Sequence, residues 1–443
     1  MTLRLLLIRH GLSSFNCEKR IQGRIDLSTL TSEGQEQAIK AGEALQGVNI
    51  NAIYSSPLQR ALSTAKSITQ ACHCSAAPII DKGLLEIDLG DWSGLTIEEV
   101  RQNHPADYEV WRKQPQELVL KKENGKSFNP IKDLKEQAQS FIRSLIKRHP
   151  IDSNQTVVVV AHNAILRCII LLLLKDPHLG FRRIRLDNAS ISVLNLTTGN
   201  NESFQVQIEC LNSTTHLNTP IPAKGKGSRI VLVRHGETDW NRQGRFQGQI
   251  DIPLNEMGEE QAAAVGQFLK AVYLTRAFSS SMARPKQTAN AILKFHPDVE
   301  LKVDQGLIEI GHGLWEGKLE SEIQASWPKL LETWKNHPEK VEMPEGESIN
   351  SVWVRAVDSW NEICSELKPE DTALVVAHDA VNKTILCHLL GLSSSDIWIV
   401  KQGNGGVTIV DLSDEPSQPE IMSCLNLTSH LGGLLDDTAT GAL

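Results

Sequence analysis

The sequence predicts two α/β domains in tandem, each with a mainly parallel sheet between helices, and three observations carry that prediction. An ordered set of polar residues is written twice: Arg9-His10-Gly11, Arg60, Glu86 and His162 recur as Arg234-His235-Gly236, Arg284, Glu309 and His378. The copies lie about 220 residues apart, too long for a solenoid unit and ample for a free-standing domain. Within each copy, short and almost wholly apolar runs alternate with stretches of helical periodicity, the pattern of strands covered on both faces by helices. Each copy also closes on a matching run, Cys210-Leu211-Asn212 and Cys424-Leu425-Asn426.

In chain order, residues 3–8 read as the first strand because five of the six are Leu or Ile. Residues 31–45 read as a helix opened by Thr31-Ser32-Glu33, and residues 57–70 as a helix opened by Ser56-Pro57, both common start signals. Strands are expected at 53–55 and 157–161, and added edge strands at 191–196 and 204–211. The second copy repeats the plan with strands at 230–233, 277–279 and 373–377, then edge strands at 407–412 and 420–427. The domains are accordingly expected at 1–217 and 229–431. Residues 218–228, rich in Pro, Gly and Lys, read as a linker, and 432–443 as a flexible tail.

Composition is that of an ordinary soluble protein, with 40% hydrophobic and 22% charged residues. A net charge of −8 argues against a general nucleic-acid binder, which would cluster Lys and Arg. The most apolar stretch, 165–174, is interrupted by Arg167 and falls short of the roughly 20 residues a membrane span needs. Residues 3–8 are too short for a leader. A cytoplasmic location is therefore expected, with no membrane or nucleic-acid partner; the oligomeric state is not legible. Eight cysteines are too sparse for a disulfide scaffold, and Cys72-His73-Cys74 lacks a second ligand pair and reads as a loop. No metal and no cofactor are expected.

In parallel sheets ligands bind beyond the carboxyl ends of strands, which is where His10, Arg60 and His162 fall. A lone histidine or arginine in such a place is usually structural. The recurrence of five costly polar residues, several of them at strand ends, points instead to a phosphate site. The guanidinium forks of Arg9 and Arg60, or Arg234 and Arg284, suit a phosphate dianion. They also favour neutral imidazole at the adjacent His10 or His235, leaving one ring nitrogen as nucleophile; which nitrogen is not legible. The second histidine, His162 or His378, can when protonated stabilise the transferring group. Glu86 or Glu309 can give a proton to the leaving alkoxide and later take one from water.

These motifs resemble the histidine phosphatase superfamily, with its phosphoglycerate mutase-like fold, over nearly the whole chain. The resemblance implies three-layer α/β/α domains and metal-independent phosphoryl transfer through a phosphohistidine on His10 and His235. It implies a phosphate pocket of Arg9, Arg60 and His162, and of Arg234, Arg284 and His378, with Glu86 and Glu309 as proton donors. Asn16 and Asn241 match a further pocket position, and Gln22-Gly23 and Gln247-Gly248 complete the signature. The tandem arrangement is similar to that of the carboxyarabinitol 1-phosphate phosphatase group. The substrate implied is a small phosphorylated metabolite.

The second copy has Glu237 and Glu347 where the family does, whereas the first has Leu12 and Lys126. A different substrate, a slower site, or a phosphate-sensing or purely structural first domain are the readings open. Lys126, if it reaches the cleft, would favour a substrate with an extra anionic group. From glutamate to late histidine is 76 positions in the first copy and 69 in the second; the resemblance implies a longer insertion there in the family's mutases, so the shorter spacing favours hydrolysis over mutase-type transfer, with less chain to exclude water.

Overall fold

The computed structural model describes residues 2–122, 124–175, 180–199, 204–415, 419–433 and 435. The chain divides into two compact units, Met1–Pro222 and Ala223–Leu443, the division falling inside the segment read as a linker. Apart from 432, 433 and 435, the tail lies outside the described residues.

The first unit runs β1 (Thr2–Arg9), α1 (Ser32–Glu43), β2 (Ala52–Ser55), α2 (Gln59–Ala71), β3 (Ile79–Ile80), α3 (Pro130–Arg148), β4 (Thr156–Ala161), α4 (Asn163–Leu173), β5 (Ile191–Thr198) and β6 (Phe204–Ser213). Its sheet has the order β6-β5-β1-β4-β2-β3. β1, β4, β2 and β3 are mutually parallel, while β5 runs antiparallel to β1 and β6 antiparallel to β5. With helices on both faces this is a three-layer α/β/α domain. Val157, Val158, Val159 and Val160 are all fully buried, each contributing about 1.5–3 kcal/mol of apolar burial.

The second unit repeats the plan with β7 (Arg229–Arg234), α5 (Glu256–Leu269), β8 (Arg276–Ser280), α6 (Ala283–Leu293), β9 (Leu301–Asp304), α7 (Ile349–Glu366), β10 (Thr372–Ala377), α8 (Asp379–Leu389), β11 (Val407–Asp411) and β12 (Ile421–Leu427). Its order is β12-β11-β7-β10-β8-β9.

Two expectations need correction. Residues 191–196 are not an edge strand: β5 pairs along its length with β1 and lies between β1 and β6. The reason is visible in Ile191–Leu194, four successive buried residues, where an edge would alternate. The same holds for β11, which pairs with β7. The start signal Ser56-Pro57 stands before α2 rather than at its cap, since Leu58 is the cap residue and Ser56 has another task described below. Thr31 does cap α1, its Oγ accepting from Gly34 N at 3.0 Å.

Register brings the site together. Arg9 pairs with Ala161 and Ser55 with Val160, so His10, Ser56 and His162 leave three adjacent strands at one end of the sheet. Arg234 with Ala377, and Ser279 with Val376, do the same for His235, Ser280 and His378. Gly11 follows because the first turn of α1 crosses there. A Cβ on Gly11 would stand 2.3 Å from Gly34 O, and one on Gly34 would stand 2.0 Å from Leu12 O. Gly236 and Gly258 repeat the crossing at 2.4 and 2.0 Å.

Candidate active site

In the second domain His235 is buried and its Nδ1 lies 2.6 Å from the Gly236 carbonyl oxygen. A carbonyl only accepts, so Nδ1 carries the proton and Nε2 keeps its lone pair. Arg284 Nε donates to that nitrogen at 3.2 Å. Burial first, then Arg284 and Arg234, holds this imidazole well below its usual range, so it is neutral at pH 7. His10 Nδ1 is tied in the same way, 2.8 Å from Gly11 O, with burial, Arg9 and Arg60 depressing it, although Arg60 Nε makes no bond to its Nε2. The nitrogen that the sequence left open is therefore Nε2 in both domains.

The arginines are held by backbone carbonyls. Arg60 donates to Gly23 O at 3.0 Å and Ile25 O at 3.1 Å, and Arg284 to Gly248 O at 2.9 Å and Ile250 O at 3.4 Å. Arg9 donates to Leu186 O at 2.7 Å, and Arg234 to Gln402 O. Each of Arg9, Arg60 and Arg234 nevertheless keeps a buried Nε with no partner, a costly omission that an oxyanion would remedy. Asn16 Oδ1 accepts from Ser13 Oγ at 2.8 Å and Asn188 Nδ2 at 3.2 Å. Asn241 Oδ1 accepts from Thr238 Oγ at 3.1 Å and Asn404 Nδ2 at 3.4 Å. In both, the amide NH2 is left to donate.

The second histidines cross the first edge-on, at 5.2 Å between ring centroids in each domain. His162 Nε2 lies 2.8 Å from Ser56 Oγ and His378 Nε2 lies 2.9 Å from Ser280 Oγ. Each serine oxygen also accepts a backbone N–H, from Leu58 or Met282. Nδ1 of each ring is buried and without a partner in both domains. Burial, then Arg60 or Arg284, pushes both rings well below the usual imidazole range. Two buried arginines crowd the site with positive charge, which favours the neutral ring while no phosphate dianion is bound.

The glutamates differ in their surroundings. Glu86 Oε1 accepts from Ile87 N at 2.9 Å, Ala164 N at 3.2 Å and Ile165 N at 3.3 Å, which seats it on the N-terminus of α4. Glu309 accepts from Ile310 N at 3.0 Å and Asp379 N at 3.1 Å, and the Asp379 carboxylate stands nearby. Burial first, and that like charge second, raise Glu309 above the ordinary carboxylate range against the pull of Arg284 and Arg234. An acid so placed keeps its proton for a leaving group.

All twelve sequence-predicted residues therefore meet in two equivalent sites. In the first, Arg9, His10, Asn16, Arg60 and Glu86 line a cavity of about 200 Å³. Lys126 does not reach it. It is exposed in a turn where its backbone N–H donates to Asn124 Oδ1. Its counterpart Glu347 is not a substrate contact either: it pairs with Arg355 at 2.9 Å, and Arg355 also donates to Glu309 O at 3.1 Å. In the first domain Arg24 and Gln137 replace that brace, Arg24 donating to Glu86 O at 3.0 Å and Gln137 to Leu85 O at 2.8 Å. Glu237, where the first copy has Leu12, pairs with Arg242 at 2.8 Å and accepts from Asn255 Nδ2 at 2.9 Å.

Ser56 and Ser280, Asn188 and Asn404, and Asp379 were not assigned from sequence. Asn188 Nδ2 donates to His10 O at 3.0 Å and Asn404 Nδ2 to His235 O at 3.2 Å, anchoring the nucleophile's backbone. The signal was present, since the two asparagines recur at the same spacing as the late histidines. Cys72 and Cys74 flank a turn after α2, and among the described residues no group of three or more His, Cys, Asp or Glu is placed to hold a metal ion.

The family model of the histidine phosphatase superfamily (branch 1) matches residues 5–208 and again 230–423. The chain belongs to that superfamily. It is a phosphoric monoester hydrolase of the tandem kind. The chain is 27% identical to 2-carboxy-D-arabinitol-1-phosphatase of Triticum aestivum, over 97% of this chain and 86% of the relative. Phosphoserine phosphatase 1 of Hydrogenobacter thermophilus is 33% identical over 46% of this chain and 94% of its own length. The solved structure of Bacillus stearothermophilus YhfR is 29% identical with a TM-score of 0.44, covering 46% of this chain and 100% of that one.

Proposed function

We propose that both domains hydrolyse small sugar or sugar-acid phosphate monoesters through a phosphohistidine, formed on Nε2 of His10 and of His235. The observation that carries this is the tie from His235 Nδ1 to Gly236 O, which leaves a neutral Nε2 beside two arginines. The Nε2 lone pair attacks phosphorus and the ester P–O bond breaks. Glu309 gives its proton to the departing alkoxide. Arg234, Arg284, Asn241 and His378 Nδ1–H hold the equatorial oxygens, where charge develops. Water then attacks the phosphohistidine, Glu309 takes its proton, and inorganic phosphate leaves with the imidazole restored. His10, Arg9, Arg60, Asn16, His162 and Glu86 take the same parts in the first domain. Two relatives have names that carry a carboxylated sugar phosphate and phosphoserine, both small monoesters.

Two arginines supply the positive field, so turnover is expected to persist in chelator. The test is rapid quench with mass spectrometry, which should place phosphate on His10 and His235. Phosphate on serine or aspartate, or activity abolished by chelation and restored only by a divalent ion, would refute the scheme. We further place the protein in the cytoplasm, where its eight free cysteines suit a reducing medium. No helix among the described residues is long and apolar enough to cross a membrane.

A further inference from the structure

The two sites part company on the helix that follows the late histidine. In the second domain, the Asp379 carboxylate lies 2.8 Å from Lys383 Nζ and 3.4 Å from Arg234 Nη1. Lys383 also stands 5.1 Å from the centre of the Trp398 ring. Its charge is neutralised inside the protein.

The matching positions of the first domain hold Asn163 and Arg167, on the first two turns of α4. Both line the cavity that contains His10 and Glu86. No carboxylate among the described residues pairs with Arg167, and its buried Nε has no partner; Asn163 Oδ1 is likewise buried and unpartnered. The guanidinium carbon lies 5.7 Å from the Phe181 ring, and Phe181 packs edge-on against Trp111 at 6.1 Å. Arg182 covers Trp111 at 5.2 Å, where the second domain has Trp398 against Trp334. Burial first, and repulsion from Arg9 and Arg182, push Arg167 down to about 10, so it remains cationic at pH 7. Asp187, the other acid close to Arg9, is engaged by Arg185 at 2.9 Å and by Asn212 Nδ2 at 3.0 Å. The two sites thus differ by one formal charge at one place. The single cavity of about 200 Å³ that holds the phosphate position extends to Asn163, Arg167, Trp111 and Phe181, which leaves room for a short tail only.

We propose that Arg167 and Asn163 form a second anion subsite in the first domain, selecting phosphate monoesters whose short tail carries a carboxylate. The inference rests on the phosphate-site reading above and names the substrate class of one of its two sites. A planar guanidinium facing a carboxylate makes paired, charge-assisted hydrogen bonds. In the second domain the corresponding cation, Lys383, is already paired with Asp379.

The test uses the full chain carrying His235→Ala, in which only the first domain can form a phosphohistidine, and a matched pair of esters, 3-phosphoglycerate and glycerol 3-phosphate. The expected result is a preference in kcat/KM for the carboxylate ester. Arg167→Gln should cut that preference about 10- to 100-fold, mainly through KM, as befits a hydrogen bond to a charged group. Arg167→Lys should restore part of it. Asn163→Asp should lower the preference without removing any packing, which keeps the proposal testable if Arg167→Gln fails to fold. An unchanged preference in Arg167→Gln and Asn163→Asp would overturn the subsite. If the His235→Ala chain turns over neither ester, hydrolysis by the first domain is refuted, and calorimetry then decides the subsite separately. An affinity loss for 3-phosphoglycerate greater than that for glycerol 3-phosphate, on adding Arg167→Gln to His235→Ala, would support it. Equal affinities with and without Arg167→Gln would overturn it.

Discussion

The two domains carry the same two arginines, two histidines and asparagine around the phosphate position, and they differ in what stands beside the glutamate. Glu309 faces Asp379, whereas Glu86 faces Asn163. The conspicuous departures of the first copy, Leu12 for Glu237 and Lys126 for Glu347, turn out to concern braces: Glu237 serves Arg242 and Asn255, and Glu347 serves Arg355. Faithfulness to a motif and faithfulness of a reacting centre are therefore separate properties. The unobtrusive change from Asp to Asn touches chemistry, and the loud ones touch scaffolding.

The largest contrast should come from the nucleophiles. His235→Ala in the full chain is expected to remove turnover of the second domain's substrates by about 10³-fold or more, and His10→Ala to do so for the first domain's. Profiles over a panel of phosphorylated metabolites should not overlap; identical losses on every substrate would mean that the domains act as one site. Next in size, Glu309→Gln should slow a sugar phosphate by about 10²- to 10⁴-fold. An aryl phosphate, whose leaving group needs little protonation, should suffer less in the phosphorylation step. Equal losses in that step would take the acid role from Glu309.

A smaller effect should appear in the pH dependence of the second domain. Glu309 is raised by burial and by Asp379, so its acid form persists to higher pH than an ordinary carboxyl's, and rate falls as pH rises through that value. Asp379→Asn removes the like charge and should move the alkaline limb of kcat to lower pH in the second domain. No movement of the limb would show that burial alone sets it. The smallest effect concerns the brace. Arg355→Gln leaves Glu347 without its half-buried partner and should cost about 1 kcal/mol, a drop in Tm of roughly 2–4 °C for a domain of this size. The transition of the second domain alone should move.

Strand cores were legible because unbroken apolar runs such as Val157–Val160 have only one place in a layered domain. The twelve site residues were legible because they were written twice in order. The place of β5 was misread, since an apolar run tells of burial and not of which neighbour pairs with it. The nucleophilic nitrogen was beyond reach: it depends on a carbonyl one residue away, the Gly236 oxygen, whose direction no side chain encodes. The partner of His378 Nε2 was beyond reach for a related reason, because Ser280 lies 98 positions away in the chain.

The contact between Gly11 and Gly34 is backbone against backbone, and Thr64 completes it by accepting from Gly11 N at 3.1 Å while donating to Arg60 O at 2.7 Å. His10 and Arg60, the nucleophile and a phosphate ligand in the proposed scheme, thus belong to one bonded frame, shaped before any ester arrives, and Gly236, Thr288 and Arg284 repeat it. A frame built around the transferred group alone cannot tell an ester from the free anion left at the end. Orthophosphate should accordingly compete with substrate in both domains, and turnover in a cell would slacken as free phosphate accumulates.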